Sequence, residues 1–137
     1  MKKLILSALL ISFSLSGFSQ PKKSELYGTW ILESSVFTTE DSVYKEDSKF
    51  KKEMKIISPG YFIFIINKVS DNSFIMASGG KAIIDGSNYT EIIDLSSSPD
   101  ALNKTYKFTA KVVGDKWYHS GYIGNWKLEE VWQRMKE

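Results

Sequence analysis

The sequence has no cysteine, a single histidine and only three prolines among its 137 residues. The absence of cysteine excludes disulfides, thiolate metal sites and lipid attachment at a cleavage-site cysteine. It also excludes a cysteine nucleophile, and no G-x-S-x-G motif supplies a serine one. A zinc site built on one histidine would need several carboxylates, so we predict no metal centre. Stability must therefore come from packing, in a chain of which 14% is aromatic.

A long apolar run occurs at the N-terminus. Residues 1–3 are Met-Lys-Lys, residues 4–18 are apolar with a few serines, and Gly17 and Ser19 place small residues at the −3 and −1 positions of a cleavage site. This pattern predicts a signal peptide over residues 1–19 and one mature domain over residues 20–137. An uncleaved anchor is the alternative, but a membrane-spanning helix needs about 20 apolar residues. The expected location is periplasmic or secreted.

Charge gives no sign of a polyanionic partner. The predicted leader holds Lys2 and Lys3, two of the 18 basic residues, and none of the 16 acidic ones, so the mature chain is formally neutral. A neutral chain without a basic patch favours neither nucleic acid nor an anionic membrane surface as a partner.

Short runs rich in β-branched and aromatic residues alternate with turn signals at 71–73, 85–87, 114–115 and 124–125. This spacing predicts an all-β fold, a single antiparallel up-and-down β-barrel of about eight strands. Ser98 followed by Pro99 predicts a short helix between late strands, over residues 96–102. The charged segment 38–54 is expected to form a short helix or a loop over the barrel mouth, either a lid or a solvated connection.

Two ends of the chain are expected to meet at the base of the barrel. Gly28 allows a close backbone approach, Trp30 plugs the base, and Arg134 in the last strand lies across the indole as a cation–π contact. These three residues are predicted to be structural.

Residues 61–66 are apolar on both faces of one strand. We predict that Phe62 and Phe64 face the interior together with Ile66. The opposite face must be covered by a neighbouring element or by a second subunit in a homodimer, since it would otherwise be an exposed apolar patch. That face carries Tyr61, Ile63 and Ile65.

Alternation in the later strands, with most lysines taken as outward, gives an aromatic interior that contains polar groups. Leu95 and Glu130 are among the residues predicted to point inward. Convergent polar groups in an apolar cavity are typical of a ligand site, although an inert network such as His119 with Glu91 or Glu130 is the alternative. The predicted ligand-binding residues are Phe62, Phe64, Tyr89, Glu91, Tyr106, Phe108, Trp117 and His119.

The chain resembles the lipocalin-like (calycin) superfamily, and more closely a family of small exported bacterial lipocalin-like domains of unknown function. The resemblance lies in the ordered set of residues 28–30, 55–62, 79–80, 89–91 and 130–134. It implies that Trp30 and Arg134 close the base, and it gives no catalytic residue.

We therefore expect a carrier or sensor that binds a small apolar or amphipathic ligand, rather than an enzyme. Three alternatives remain open. One is acid–base isomerisation or cyclisation by His119 with Glu91 or Glu130. A second is haem bound through His119, although we predict no cofactor. The third is a structural or interaction module with a filled interior.

Overall fold

The computed structural model describes residues 24–136, so the predicted signal peptide lies outside the described part of the chain. Residues 24–136 form nine β-strands, all paired antiparallel. They are β1 (Gly28–Thr38), β2 (Val43–Asp47), β3 (Lys51–Ser58), β4 (Tyr61–Lys68), β5 (Phe74–Asp85), β6 (Asn88–Ser96), β7 (Thr105–Val113), β8 (Lys116–Ile123) and β9 (Trp126–Arg134).

Strand β1 closes the sheet because it pairs with three neighbours. Along one edge, residues 28–31 pair with β3 and residues 34–38 pair with β2. Along the other edge, residues 30–38 pair with β9. The eight strands β1 and β3 to β9 thus form a closed ring in the described part of the chain, and β2 is an additional strand at its rim. The prediction of an all-β antiparallel barrel is confirmed.

The four predicted turns all lie where one strand ends and the next begins. Gly114 and Gly124 each begin a two-residue hairpin turn, with φ of 59° at both positions. Glycine adopts this left-handed conformation without the steric cost that a Cβ atom would add, which explains why these turns are tight.

Alternate residues of the strands point inward and form one apolar core. On β4, Phe62, Phe64 and Ile66 are buried as predicted, whereas Tyr61 and Ile63 are 63% and 46% exposed. The described part of this chain therefore leaves the outer face of β4 uncovered. A homodimer through that face stays a prediction.

The helix predicted over residues 96–102 is wrong. Residues 24–136 contain no helix, and hence none long and apolar enough to cross a membrane. Ser96 ends β6, and its Oγ accepts a hydrogen bond from the Ser98 N–H at 3.0 Å, which favours a local turn instead. Asn103 then takes a φ of 62° and donates its N–H back to the Ile93 carbonyl at 2.9 Å. These contacts produce successive turns that lead into β7.

The charged segment 38–54 is neither a helix nor a long loop. It contains β2 and the start of β3, joined by short connections. The reason is the length of β1: beyond Ile31 its edge is no longer paired with β3, and β2 satisfies its backbone groups from Ser34 to Thr38.

Leu95 was predicted to point inward, and it is 75% exposed. A register shift between Gly79 and Gly80 places Gly80 opposite Ile93 but Gly79 opposite Leu95. The extra residue on β6 reverses the alternation, so Leu95 lies outside.

Candidate functional site

The base of the barrel is closed by Trp30 and Arg134. The Arg134 Cζ atom lies 4.1 Å from the centre of the Trp30 ring system, and Arg134 Nη1 donates to the Tyr27 carbonyl at 2.9 Å. A Cβ atom at Gly28 would lie 2.8 Å from that same Nη1, so a glycine is needed where the guanidinium crosses the chain. The residues singled out at opposite ends of the sequence therefore meet.

Aromatic side chains pack the interior above this base. Trp117 contacts Trp30 edge-on at 5.6 Å between ring centres and stacks on Trp132 at 5.3 Å. Tyr89 packs edge-on against Trp117 at 5.8 Å. All four side chains are fully buried. These four rings fill the interior next to the base.

The other end of the barrel holds a cavity of about 260 Å³. It is bounded near its mouth by residues at strand ends, such as Phe37 of β1 and Ile123 of β8. Most of its wall is apolar, and its polar side chains come from six different strands. The lining residues are Phe37, Lys51, Glu53, Lys55, Phe64, Ile66, Met76, Ser78, Glu91, Ile93, Ala101, Tyr106, Phe108, His119, Ile123, Leu128 and Glu130.

A buried ion pair and a buried histidine–carboxylate hydrogen bond lie in the wall of the cavity. Lys55 Nζ donates to Glu91 Oε1 at 2.6 Å, and both side chains are 4% exposed. His119 Nδ1 is 2.7 Å from Glu130 Oε2, and that oxygen also accepts the Trp132 indole N–H at 3.0 Å.

Neighbouring groups oppose the effect of burial on the pKa values of Lys55 and Glu130. Burial alone would lower the pKa of Lys55, but the negative charges of Glu91, Glu130 and Glu53 raise it above the ordinary lysine value. Burial alone would raise the pKa of Glu130, but the hydrogen bond and charge of His119, followed by the charge of Lys55, lower it. Lys55 and Glu130 are therefore ionised near neutral pH.

Glu53 is the least compensated carboxyl group in the cavity wall. Its residue is 6% exposed, and among residues 24–136 the only cation within 4 Å is Lys51, at 3.7 Å. Lys51 is also paired with Glu46 on β2. Burial, and then the negative charge of Glu130, raise the pKa of Glu53 to about 7.

Three buried polar atoms near this cluster have no hydrogen-bond partner among the described residues. They are Tyr89 Oη, Trp117 Nε1 and His119 Nε2. Burial, together with the negative charge of Glu91, raises the pKa of Tyr89, so its hydroxyl stays protonated. Each is a hydrogen-bonding group that the described protein atoms leave unsatisfied.

Of the eight predicted ligand-binding residues, five line the cavity: Phe64, Glu91, Tyr106, Phe108 and His119. Phe62, Tyr89 and Trp117 are buried in the packed core and do not line it. Sequence reasoning missed Glu53 and Lys55. Both lie with Ile57 on the inner face of β3, but the apolar residues Met54 and Ile56 on the other face hide this alternation in the sequence.

The cluster can hold a charged or polar group and can move a proton, but it is not arranged as a metal site. Among residues 24–136, no three histidine or acidic side chains are placed so as to hold a metal ion. His119 touches Glu130 through Nδ1, an arrangement that fixes the imidazole tautomer and leaves Nε2 as the second functional atom.

No protein-family model matches the chain, and no curated protein matches it. Among solved structures, a redesigned β-barrel aligns with a TM-score of 0.49 and 18% identity, over 81% of this chain and 92% of that one. The assignment of the fold rests on the strand pairing of this chain.

Proposed function

We propose that the protein is an exported lipocalin-like carrier or sensor that binds a small amphipathic molecule inside its barrel. One observation carries the proposal: a cavity of about 260 Å³ combines an apolar wall with a buried cluster of ionisable side chains. A few convergent polar groups in a mostly apolar concavity are the usual composition of a small-molecule site. The polar cluster would fix the orientation of the ligand, and the apolar wall would supply most of the binding energy.

The cavity volume favours a small ligand. Pockets for drug-sized molecules occupy about 300–1,000 Å³. The cavity, at about 260 Å³, lies just below this range. We therefore propose a short-chain or single-ring ligand rather than a long-chain lipid or haem.

The lipocalin-like and exported parts of the proposal have separate support. The base closed by Trp30 and Arg134 agrees with what the family resemblance implies. Export is supported by the predicted leader over residues 1–19, which lies outside the described residues. Sequencing of the N-terminus of the protein made in its own host tests export, and a chain that begins at Gln20 is expected.

Acid–base catalysis is the second candidate, and the His119–Glu130 contact favours it. The carboxylate orients the imidazole through Nδ1, and Nε2 is buried with no partner among the described residues. A histidine held this way acts as a general base in other enzymes. This candidate predicts that the protein converts its ligand to a product, and that His119→Gln abolishes the conversion while ligand binding persists.

A homodimer through the outer face of β4 is the proposed assembly. Tyr61, Ile63 and Ile65 are exposed there to different degrees. Analytical ultracentrifugation is the direct test, and a protein that stays monomeric at high concentration would contradict the dimer.

Two variants on β5 test ligand binding. Met76 lines the cavity, and its neighbour Ile75 is 46% exposed on the outside of the same strand. We expect Met76→Trp to fill the cavity and abolish binding of hexan-1-ol in calorimetry, and Ile75→Trp to leave binding intact. Native mass spectrometry of protein from its own host should also show a bound small molecule. An empty protein that binds no alcohol or amine probe would overturn the proposal.

A further inference from the structure

We propose that the ligand of this cavity is a small amphipathic amine. Glu53 and Glu130 hold its ammonium group, and its apolar part lies against the phenylalanine side chains that line the cavity, which are Phe37, Phe64 and Phe108. The inference rests on the proposed binding function and specifies its ligand class. It depends on the balance of charges in the cavity and on which of those charges are already paired.

Carboxylates outnumber cations in the buried cluster. Glu53, Glu91 and Glu130 provide three carboxyl groups, and Lys55 and His119 provide at most two positive charges. One carboxyl group is therefore in excess even when His119 is protonated. Lys51 also lines the cavity, 3.7 Å from Glu53, but it is paired with Glu46, so these two residues add one charge of each sign and leave the excess unchanged.

The excess carboxyl group is available for a ligand. Glu91 is engaged by Lys55 at 2.6 Å, but Glu53 makes no hydrogen bond to any described residue, and its only cation within 4 Å is the shared Lys51. Glu130 uses Oε2 for both of its hydrogen bonds and leaves Oε1 free among the described residues. Strands β3 and β9 flank β1 on either side, so Glu53 and Glu130 lie in the same part of the ring.

Among the described residues, an anionic ligand finds no unpaired ammonium in the cavity, because Lys51 is paired with Glu46 and Lys55 with Glu91. The buried ammonium of Lys55 is also surrounded by negative charge. A carboxylate entering the cavity would meet Glu53 and Glu130, which are of like sign, and would be desolvated without a free cation to pair with. Fatty acids and other organic anions are therefore disfavoured.

The interior already accommodates one ammonium group in the way that a ligand amine would be held. Lys55 Nζ lies 5.1 to 5.9 Å from the centres of four aromatic rings while it contacts a carboxylate. Aromatic faces attract cations at such distances. Phe64, Tyr106 and Phe108 extend this aromatic surface into the cavity wall.

Bound amine should also change the protonation of Glu53. Burial and the charge of Glu130 raise the pKa of Glu53 to about 7, so a nearby ammonium would favour the ionised form and release a proton near neutral pH. The other titratable and charged groups around the cluster are Glu46 of β2, Lys51 and Lys55 of β3, Glu91 of β6, His119 of β8 and Glu130 of β9.

The test is calorimetric titration of the protein with hexylamine, hexan-1-ol and hexanoate, which share an alkyl chain and differ in charge. We expect hexylamine to bind at least about tenfold more tightly than hexan-1-ol, since charge-assisted hydrogen bonds are roughly twice as strong as neutral ones. Hexanoate should bind more weakly than both. Titration in two buffers of different ionisation enthalpy should show proton release on binding hexylamine and none on binding hexan-1-ol.

Glu53→Gln supplies the decisive variant, and Glu40→Gln is its control on an exposed acid outside the cavity. We expect E53Q to bring the affinity for hexylamine to within about threefold of that for hexan-1-ol and to abolish proton release, and E40Q to change neither. If hexan-1-ol binds as well as hexylamine to the unmodified protein, the amine inference fails and the binding function stands. If none of the three probes binds, both fail.

Discussion

Replacing Glu53 with glutamine should make the protein more stable at alkaline pH. The pKa of Glu53 is raised from 4.5 to about 7 by burial and by the charge of Glu130. Between these values the folded state binds a proton that the unfolded state does not, so the free energy of unfolding falls as pH rises. Above pH 7 the loss from this one group levels off at about 3 kcal/mol. A glutamine cannot ionise and does not suffer this loss.

Urea unfolding followed by tryptophan fluorescence, at about pH 5 and about pH 8.5, measures the effect. The unmodified protein should lose about 3 kcal/mol more than E53Q between these two conditions. Glu130 does not interfere, because its pKa is lowered, and the stability that it contributes is lost only below the ordinary carboxyl range. E40Q, which changes an exposed acid, should follow the unmodified protein. If E53Q and the unmodified protein show the same pH dependence, Glu53 is not held in the environment described above.

Three further substitutions test other parts of the fold by the same unfolding assay. Arg134→Lys keeps the positive charge at the base but loses the planar guanidinium group that stacks on Trp30, and should lower the free energy of unfolding by about 1–2 kcal/mol. An unchanged free energy of unfolding would mean that the contact at the base does not stabilise the fold. Lys55→Met should cost about 3–5 kcal/mol because it leaves Glu91 buried and unpaired, and the double variant with Glu91→Leu should recover most of that loss. Gly80→Ala should cost at least about 2 kcal/mol, since its Cβ would lie 1.9 Å from the Ile92 carbonyl oxygen, and a neutral result would show that the bulge there adapts.

The fold could be predicted because its signals are local and mutually consistent. Turn residues at regular spacing separate the strands, and alternation on β4 assigns Phe62 and Phe64 to the inside. Barrel closure could be predicted because it depends on a few distinctive residues at the two ends of the chain. Gly28, Trp30 and Arg134 each have a chemical reason to meet.

Both failed predictions depend on contacts with residues outside the segment concerned. The Ser98–Pro99 pair is a typical helix-start signal, but the hydrogen bond from the Asn103 N–H to the Ile93 carbonyl stabilises turns instead. Leu95 fits the alternation of β6, and only the bulge opposite Gly79 reverses its direction. Neither Ile93 nor Gly79 lies in the segment whose structure it decides.

The polar cluster was only partly predictable for a related reason. His119, Glu91 and Glu130 follow from alternation, but Lys55 and Glu53 lie on a strand where both faces carry charged and apolar residues. Met54 and Ile56 on the outer face are as apolar as Ile57 on the inner one. Lys55 is stabilised inside by Glu91, 36 residues away, and no local pattern shows that partner. A rule that places every lysine outside must fail here.

The interior retains groups that a purely structural barrel would not need. Replacing a buried ion pair with aliphatic side chains of similar volume is often neutral or stabilising, so Lys55 and Glu91 are poorly explained by stability alone. Glu53 is harder still to explain, because its raised pKa means that the fold is weakened whenever the group ionises. A barrel that keeps this carboxyl group facing a cavity supports the proposal that its open end binds a positively charged group.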